Sequence, residues 1–586
     1  MVERIAYPEP LKTYKYTYEI YDVIILRTFH ISPTMDDFIS PFHKIINTIL
    51  ALLLVLCCAL RIIAAYTKQN KKKNIINNTK TETRSLTKVP QPPGAWPFIG
   101  HLHLLHGKDP VALILGAMAD KFGPIYSLKL GPRQVMVVLS AWEQVKERFT
   151  KNDIAFSTRP STAAGKHLGY NNAIFALAPY GPYWRDIRKL ATQEYLSAQK
   201  VEMHSHVRAE EVDSFIKKLF DVVGSSGLTT SPPTSPTVVV HLSELVEHLT
   251  FNISVRLIAG KRFSDGEYNE KGSEAWRFEK AMQEAMHLLG NFVWSDAMPY
   301  FEWLDSLFGP VSFMKRTFKE LDSVLSSWVD EHRSQQGDKI GNKINSSRVE
   351  SDLIDAMISN FGEEAVISGH SCDNVIKATS LILIIGGTQS TSVALTWALS
   401  LLLNNPSALK SAQQELDINV GSDRWVQESD LPNLKYLQAI VKETLRLYPS
   451  VPITVHEGTE DSHLSGYHVP KGTRIVVNLW KLHRDPSVWA NPCEFQPERF
   501  MTDHADVDYF KGFEYIPFSS GRRSCPGATL GLHVVQLLLA RLLQGFDMSR
   551  VGDGPVDMRE RVGLALTKAD PLKAFLAPRL PLHVYL

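Results

Sequence analysis

One ten-residue segment, Phe518–Gly527, constrains this chain more than any other. Its sequence is FSSGRRSCPG, with one cysteine at Cys525 and glycines at Gly521 and Gly527. An apolar helical pattern, Leu530–Leu543, follows it directly. Because a helix N-terminus and the backbone N–H groups of a tight loop stabilise a thiolate, a thiol in this position is suited to chemistry. A lone cysteine is more often a small buried hydrophobe, but the residues in register around it argue against that interpretation.

A thiolate of this kind can act as the proximal ligand of haem iron and push electron density toward O–O cleavage. Phe518 would shield the sulfur, and Gly521 and Gly527 would let the backbone turn tightly beneath the ring. Arg523 would donate hydrogen bonds to a haem propionate. The segment therefore predicts a haem-thiolate site with Cys525 as the iron ligand.

Composition excludes several other classes of protein. Among 586 residues, 63 Lys and Arg balance 62 Asp and Glu, so the basic excess typical of nucleic-acid binding is missing. A hydrophobic share of 44% is typical of a packed globular protein. Five cysteines are too few for a disulfide framework, and Cys57 and Cys58 lie in an apolar run. The other three, Cys372, Cys493 and Cys525, do not have the spacing of a structural zinc site, which argues against a zinc-stabilised membrane scaffold.

The N-terminal part of the chain is predicted to be separate from the globular body. The run Ile45–Ala65 is apolar and about twenty residues long, enough to span a hydrocarbon core. Lysines follow it at once, which places its C-terminal side in the cytosol by the positive-inside rule. A cleaved signal peptide and a buried core helix are the alternatives. We divide the chain into an N-terminal extension (1–44), a transmembrane anchor (45–66), a basic linker with a Pro-rich hinge (67–97) and one large haem-binding domain (98–586).

Helical patterns dominate the body. Two short strands are predicted over Ile125–Leu130 and Gln134–Leu139, joined by a Gly-Pro turn, and a polar loop over Gly337–Ser351. The pattern Asp373–Asn404 is apolar on nearly all faces, which is typical of a helix at the centre of a large protein. Two adjacent glycines, Gly386-Gly387, interrupt it at a cost of roughly 1 kcal/mol each, which is tolerable if something bulky approaches the backbone there.

Together with the cysteine segment, these features make the chain from Pro90 onward resemble a cytochrome P450. The resemblance implies a mainly α fold with small β-sheets, preceded by one N-terminal transmembrane helix. It implies haem b as the cofactor, with electrons from NADPH delivered through a partner reductase. It also implies a small apolar substrate and a place in the endoplasmic reticulum membrane, single-pass, with the catalytic domain in the cytosol.

A second motif is Glu443-Thr444-Leu445-Arg446, in which Glu443 and Arg446 are three residues apart on one helical face and can form an ion pair. Pro497–Phe500 (PERF) follows it and contains Arg499. By resemblance to the family, these three charged side chains form a buried network that stabilises the core around the haem.

A third motif pairs Trp184 with Arg188, one helical turn apart. It is similar to the family helix whose Trp and Arg hold a haem propionate. His456 occupies a position where the family often places another propionate donor. The resemblance therefore implies that these three residues, with Arg523, bind the cofactor.

The resemblance also assigns catalytic roles within Gly386–Thr391, and here the chain departs from the family. The family usually has an acid followed by Thr, whereas this chain has Gln389 and Ser390 after Thr388. Serine keeps a hydroxyl, but glutamine does not titrate and does not relay a proton as a carboxylic acid does. Three consequences stay open: water carries the relay, slower proton delivery favours C–C cleavage, or the enzyme is weakened.

Further stretches, among them Tyr436–Glu443 and Leu482–Pro486, resemble the plant P450 family numbered 82. That family works on alkaloids, phenolics and terpenoids, and its homoterpene synthase branch cleaves a C–C bond of geranyllinalool or nerolidol. Homoterpene formation is therefore one hypothesis, and hydroxylation or demethylation of an alkaloid or phenolic is its alternative. By the same resemblance, substrate contacts are expected from five regions: Ile154–Ala178, Phe251–Phe301, Ile384–Gly387, Ser450–Val455 and Val562–Thr567.

Two alternatives come from other classes. A non-catalytic haem-binding or sensor protein would share the thiolate loop but would need no reductase. A rearranging enzyme would use neither O2 nor reductase, but relatives of that kind usually alter the cysteine loop, and this loop is intact.

Overall fold

Helices are the predominant secondary structure in this computed structural model. It describes residues 88–585 apart from 106, 108, 132–133, 225–237, 291–292, 299–304, 306–308, 342–350 and 362–364. The predicted extension, anchor and most of the linker lie outside the described residues. The helices are α1 (Val111–Phe122), α2 (Trp142–Phe149), α3 (Ala163–His167), α4 (Pro182–Ala191), α5 (Ala198–Met203), α6 (Ser205–Gly224), α7 (Leu242–Ala259), α8 (Asp265–Asn269), α9 (Glu274–Gly290), α10 (Trp294–Ala297), α11 (Pro310–Gly341), α12 (Leu353–Asn360), α13 (Cys372–Asn404), α14 (Pro406–Asn419), α15 (Lys435–Leu447), α16 (Leu479–Leu482), α17 (Ala528–Gly545) and α18 (Leu582–Tyr585). The expectation of a mainly helical fold is confirmed.

Strands form small sheets at the edges of the helical body. They are β1 (Ile125–Leu130), β2 (Gln134–Leu139), β3 (Val239–His241), β4 (Val366–Ile367), β5 (His370–Ser371), β6 (Ile453–Glu457), β7 (Ser462–Leu464), β8 (Tyr467–Val469), β9 (Arg474–Asn478), β10 (Phe546–Arg550) and β11 (Lys573–Pro578). The largest sheet has the order β1-β2-β9-β6, and only its β2–β9 pair is parallel. A second sheet has the order β10-β11-β3, and β4-β5 and β7-β8 are two-stranded. Both strands predicted from the sequence, β1 and β2, are confirmed with the same bounds.

The long helix α13 lies at the centre of the body and packs against α7, α11, α15 and α17. Nearly all residues from Thr391 to Leu403 are buried, as the apolar pattern predicts. Both α13 and α17 are long and apolar enough to cross a membrane, but 67% and 72% of their most apolar windows are buried inside the protein. Burial of this extent is that of core helices.

Two boundaries differ from the sequence prediction. Helix α11 continues to Gly341, so the loop predicted from Gly337 begins within a helix. The Pro-rich segment is not a free spacer where it is described. Pro90 O accepts the backbone N–H of Ser127 at 2.8 Å, and His101 Nε2 lies 3.1 Å from Pro92 O. This part of the predicted linker therefore docks on β1.

Candidate active site

A cavity of about 370 Å³ lies between α4, α7, α13, α17 and the cysteine segment. The Cys525 side chain opens into it. Apolar side chains provide much of the wall on the α7 and α13 side, including Ile253, Leu257 and Ala394. None of the described residues lining this cavity is acidic, whereas three are arginines. The cavity therefore combines an apolar wall with a cationic wall.

The cysteine loop is closed by a backbone hydrogen bond from Cys525 N to Phe518 O at 2.9 Å. Gly521 has a φ of +69°, and a β-carbon there would stand 2.5 Å from Asp153 Oδ1, so both the turn and the close packing require glycine. Gly527, in contrast, has an ordinary φ of −94° as the N-cap of α17. Gly521 therefore provides a left-handed turn, whereas Gly527 lies in an ordinary turn that leads into α17. Phe518 lines the cavity as expected.

The thiol of Cys525 has a raised pKa because of burial. The backbone N–H of Gly527 and the guanidinium of Arg188 oppose this by lowering the pKa. The helix start thus acts on the thiol in the expected direction, but burial outweighs it. An iron ion, which deprotonates a coordinating thiol outright, would supply the missing stabilisation.

Two predicted cofactor residues on α4 contact the cysteine segment. The indole of Trp184 is buried, with the guanidinium carbon of Arg523 lying 4.3 Å and that of Arg188 5.6 Å from its ring centroid. Arg188 Nη2 donates to Ser524 O at 2.7 Å. Arg523 Nε donates to Ser157 O and its Nη2 to Ala178 O, both at 2.8 Å. The structure therefore brings these three predicted residues together at one wall of the cavity.

Burial and the nearby guanidinium groups of Arg159 and Arg188 lower the pKa of Arg523 to about 9. Burial also lowers the pKa of Arg159 to about 10. A nearby negative charge would favour the charged form of both guanidinium groups, and the described residues of the cavity wall include no carboxylate. Binding of an anionic ligand would therefore stabilise the charged forms of Arg159, Arg188 and Arg523.

His456 is fully buried in β6, and neither ring nitrogen has a hydrogen-bond partner among the described residues. Burial, together with Arg159, Arg148 and Arg523, holds its pKa well below the usual value, so the ring is neutral. An orphaned polar ring of this kind is costly unless a ligand satisfies it. The residues present therefore fit a haem: a thiol for the iron, and guanidinium and imidazole donors for two propionate carboxylates.

The predicted ion-pair network forms behind the cavity. Arg446 Nε donates to Glu443 Oε2 at 2.7 Å and its Nη2 to Oε1 at 2.8 Å, while Arg499 Nε donates to Oε1 at 3.1 Å. Arg446 also donates to His483 O and Pro492 O at 2.8 and 2.7 Å. All three charged side chains are buried. The network joins α15 to the chain that leads into the cysteine segment, so it is placed to hold that segment against the core.

The three predicted catalytic residues on α13 do not share one face. Ser390 opens into the Cys525 cavity, and its Oγ donates to Gly386 O at 2.6 Å. Thr388 is buried, and its Oγ1 has no partner among the described residues. Gln389 lines a second cavity, because successive residues of a helix point about 100° apart. Gln389 therefore lies outside the Cys525 cavity, and its catalytic role stays a prediction.

Four of the five predicted substrate regions contribute to the Cys525 cavity, through Phe175, Ile253, Gly386 and Val451 among others. The fifth, Val562–Thr567, lines the second cavity instead. Backbone pairing explains this: Leu566 N donates to Ser450 O at 2.9 Å, so the segment packs behind the Ser450 region.

Two functional candidates were not found in the sequence. Arg159 lines the Cys525 cavity and donates to Ala176 O and Val455 O. Its surroundings in the sequence, Ser157-Thr158 before it and Pro160 after it, carry no motif that indicates a role. Glu247 accepts a hydrogen bond of 2.7 Å from Gln389 Nε2. A contact between residues 142 positions apart has no local sequence signal.

Comparison with known proteins agrees with this geometry. The family model "Cytochrome P450" matches residues 90–574. A dimethylnonatriene synthase of Arabidopsis thaliana is 48% identical over 498 residues, which are 85% of this chain and 92% of the relative. The xanthotoxin 5-hydroxylase CYP82C4, also of Arabidopsis thaliana, is 46% identical over 510 residues, 86% of this chain and 95% of the relative.

Among solved structures, a zebra fish cytochrome P450 determined with progesterone is similar to this chain with a TM-score of 0.66 and 24% identity. The match covers 80% of this chain and all of the other. At 24% sequence identity, this similarity supports the fold and not a shared substrate.

Proposed function

The chain belongs to the cytochrome P450 family, within the plant family numbered 82, and from this premise we propose that it oxidises a tertiary terpene alcohol to a homoterpene by C–C cleavage. Membership of the cytochrome P450 family establishes the general reaction. The chain is a haem-dependent monooxygenase of plant specialised metabolism, with electrons supplied by NADPH through a reductase. A non-catalytic haem protein and an enzyme without O2 are therefore not supported.

The bound haem supplies activation of O2 and oxidation of the substrate. We propose that Cys525 holds the iron and that Arg523, Arg188, Trp184 and His456 hold the propionates. Two observations support this assignment. The described residues lining the cavity include three arginines and no carboxylate, so an acidic cofactor would neutralise them. His456 does not line the cavity, but its buried, unpartnered ring interacts with Arg159 and Arg523 of the cavity wall.

We propose that the substrate lies against the apolar wall formed by α7 and α13, where Ile253 and Leu257 exclude water. The hydroxyl groups on this side belong to Thr250, Ser254, Ser390 and Thr391, and the first three already donate to backbone carbonyls. A further hydroxyl is provided by β6. Thr454 Oγ1 is buried, lines the cavity and has no partner in the described part of the chain, so it is suited to bond a single substrate oxygen. A mostly apolar molecule with one hydroxyl is therefore the class that fits this wall best.

The similarity to a dimethylnonatriene synthase is the single observation that carries the terpene assignment. The similarity to a xanthotoxin 5-hydroxylase is nearly as high and favours hydroxylation of an aromatic substrate as the second candidate. Product analysis distinguishes the two candidates, because relatives that are 46–48% identical to this chain catalyse both kinds of reaction.

The test is product analysis in cells that express the chain with a plant reductase. Geranyllinalool and nerolidol form one arm, and a furanocoumarin, a flavonoid and an alkaloid form the other. Release of a volatile homoterpene supports the proposal, and conversion of only the aromatic or alkaloid substrates contradicts it. Cys525→Ser serves as the control, since it removes the iron ligand. A reduced-CO spectrum of the wild type without the thiolate-ligated band would contradict the haem assignment itself.

We also propose the membrane assignment, because Ile45–Ala65 is long and apolar enough to anchor the body from its N-terminal side. This would place the enzyme in the endoplasmic reticulum membrane beside its reductase. Fractionation of cells expressing the full chain and a variant that begins at Lys88 tests it. Equal membrane association of the two would contradict the anchor.

A further inference from the structure

The second cavity, of about 310 Å³, lies on the side of α13 away from Ser390 and is lined by Glu247, Gln283 and Gln389. Glu247 belongs to α7 and faces α13. Its Oε1 accepts from Gln389 Nε2 at 2.7 Å and from Gln283 Nε2 at 3.4 Å. The carboxyl group that the central helix lacks at position 389 is therefore present next to that position, on the neighbouring helix.

We propose that Glu247 supplies protons to the haem cavity and that Gln389 positions its carboxyl group for this purpose. The inference deepens the monooxygenase function of this site and does not depend on which substrate is oxidised. In monooxygenation, one O2, two electrons from the reductase and two protons yield one inserted oxygen atom and one water. The proposed step is loss of one proton from the Glu247 carboxyl group and its replacement from solvent through the second cavity.

Two hydroxyl groups on α7 lie in sequence after Glu247, between the second cavity and the Cys525 cavity. Glu247, Thr250 and Ser254 follow each other at helical spacing on the face that meets α13. Thr250 Oγ1 lies 3.0 Å from both Val246 O and Glu247 O and 3.3 Å from Thr388 O. Ser254 Oγ donates to Thr250 O at 2.8 Å. Both hydroxyls therefore donate to backbone carbonyls, and a proton passes along them only when they rotate or when water joins them. Thr250 and Ser254 also line the Cys525 cavity. The row of these three side chains thus begins at the carboxyl group in one cavity and ends at the wall of the other.

The α13 side of the contact between α7 and α13 also carries a hydroxyl group, that of Thr388. Thr388 Oγ1 is fully buried and unpartnered within the described ranges, and it lies between Gln389 and the Gly386-Gly387 pair in sequence. A hydroxyl can donate and accept at once, so it suits a proton path in which an amide serves only to orient. Ser390 then receives the proton on the side of α13 that faces Cys525.

The electrostatic surroundings keep the Glu247 carboxyl group protonated to a higher pH than usual. Burial raises its pKa, and the carboxylate of Glu279 raises it further, while the amides of Gln389 and Gln283 and the nearby His248 lower it by less. His287, Arg561 and Lys568 also line this cavity. A raised pKa brings a carboxylic acid closer to the working pH of a proton donor.

The test measures coupling, that is product formed and hydrogen peroxide released per NADPH consumed, in the reductase-supported holoenzyme over a range of pH. In the wild type, coupling should fall as pH rises through the Glu247 pKa. Glu247→Gln should remove this pH dependence and lower coupled product formation by about 100-fold, the low end for loss of a positioned general acid. Glu247→Asp should retain the pH dependence.

The decisive variant is Glu247→Gln combined with Gln389→Glu, which moves the acid onto α13 and should recover most of the lost coupling. Glu284→Gln, which removes a carboxylate of α9 that bonds Thr317, is the control and should leave coupling unchanged. Wild-type coupling and pH dependence in Glu247→Gln, or no recovery in the double variant, would overturn the proposal.

Infrared titration of the resting ferric protein gives a readout independent of turnover. A protonated carboxyl band that is lost in Glu247→Gln should disappear on titration at a higher pH than the band of an exposed glutamate. A band that titrates with the exposed glutamates would overturn the proposal. This measurement needs no substrate. Failure of the terpene assignment in product analysis is therefore distinguishable from failure of the proton assignment.

Discussion

Ser254 Oγ lies 2.6 Å from the point where a β-carbon on Gly387 would stand. At the neighbouring Gly386, nothing lies within 4 Å of the same point. The two glycines of α13 are therefore required for different reasons. One lets α7 approach the backbone, and the other leaves space in the wall of the Cys525 cavity.

Alanine substitutions should separate these two reasons. Gly386→Ala should stabilise the fold by up to about 1 kcal/mol, because alanine favours the helix. Gly387→Ala gains the same helix preference but forces Ser254 aside, at a cost of about 1–3 kcal/mol. Denaturant unfolding of the holoenzyme measures the difference. Adding Ser254→Ala to Gly387→Ala should recover the loss, and equal stabilities of the two single variants would contradict the close contact.

Glu443→Gln should destabilise the protein strongly, because it leaves Arg446 and Arg499 buried beside a neutral partner. Removing one member of a buried ion pair typically costs about 3–5 kcal/mol. The measurement is the free energy of unfolding of the holoenzyme. Glu320→Gln is the matched control, since it breaks a surface pair with Arg277 at 2.9 Å that is worth about 0–1 kcal/mol. Similar losses in both variants would refute a special role for the buried network.

His456→Phe should affect the haem-free and haem-bound proteins in opposite directions. Without haem, removing an unsatisfied buried ring should stabilise the fold by about 1–3 kcal/mol. With haem, the variant lacks a donor for a propionate, so haem should dissociate faster. Thermal unfolding of the haem-free form and haem transfer to a scavenger protein measure the two effects. A variant that loses stability in both forms would show that the imidazole is a structural residue only.

The pair of His332 with Asp352 should make stability depend on pH. Burial lowers the pKa of His332, but the Asp352 carboxylate, 2.8 Å away, raises it together with the Trp328 carbonyl and Asp355, so the net pKa lies above the usual value. The stabilisation is therefore complete below the unfolded-state pKa of about 6.5 and is lost as pH rises through the folded-state pKa. His332→Gln should thus cost more stability in acid than in alkaline buffer. An exposed site, His463→Gln, provides the control, and a pH-independent loss at His332 would argue against the charged pair.

The sequence predicted those parts of the structure that depend on local pattern. The strands β1 and β2, the central helix α13 and the contact of Glu443 with Arg446 all rest on alternation or helical spacing within a few residues. The second cavity could not be predicted in this way. It exists because α7 crosses α13, and such a crossing is determined by side-chain packing over the whole body and not by either helix alone.

The wall of arginines around His456 has a consequence for the protein in the cell. A partner that binds only the folded state stabilises it by mass action, and here that partner also removes repulsion among buried cations. The haem-free chain should therefore unfold more readily and be degraded sooner. The amount of this enzyme would then follow the haem supply of the tissue, so that porphyrin synthesis, and not only transcription, sets how much of its product is made.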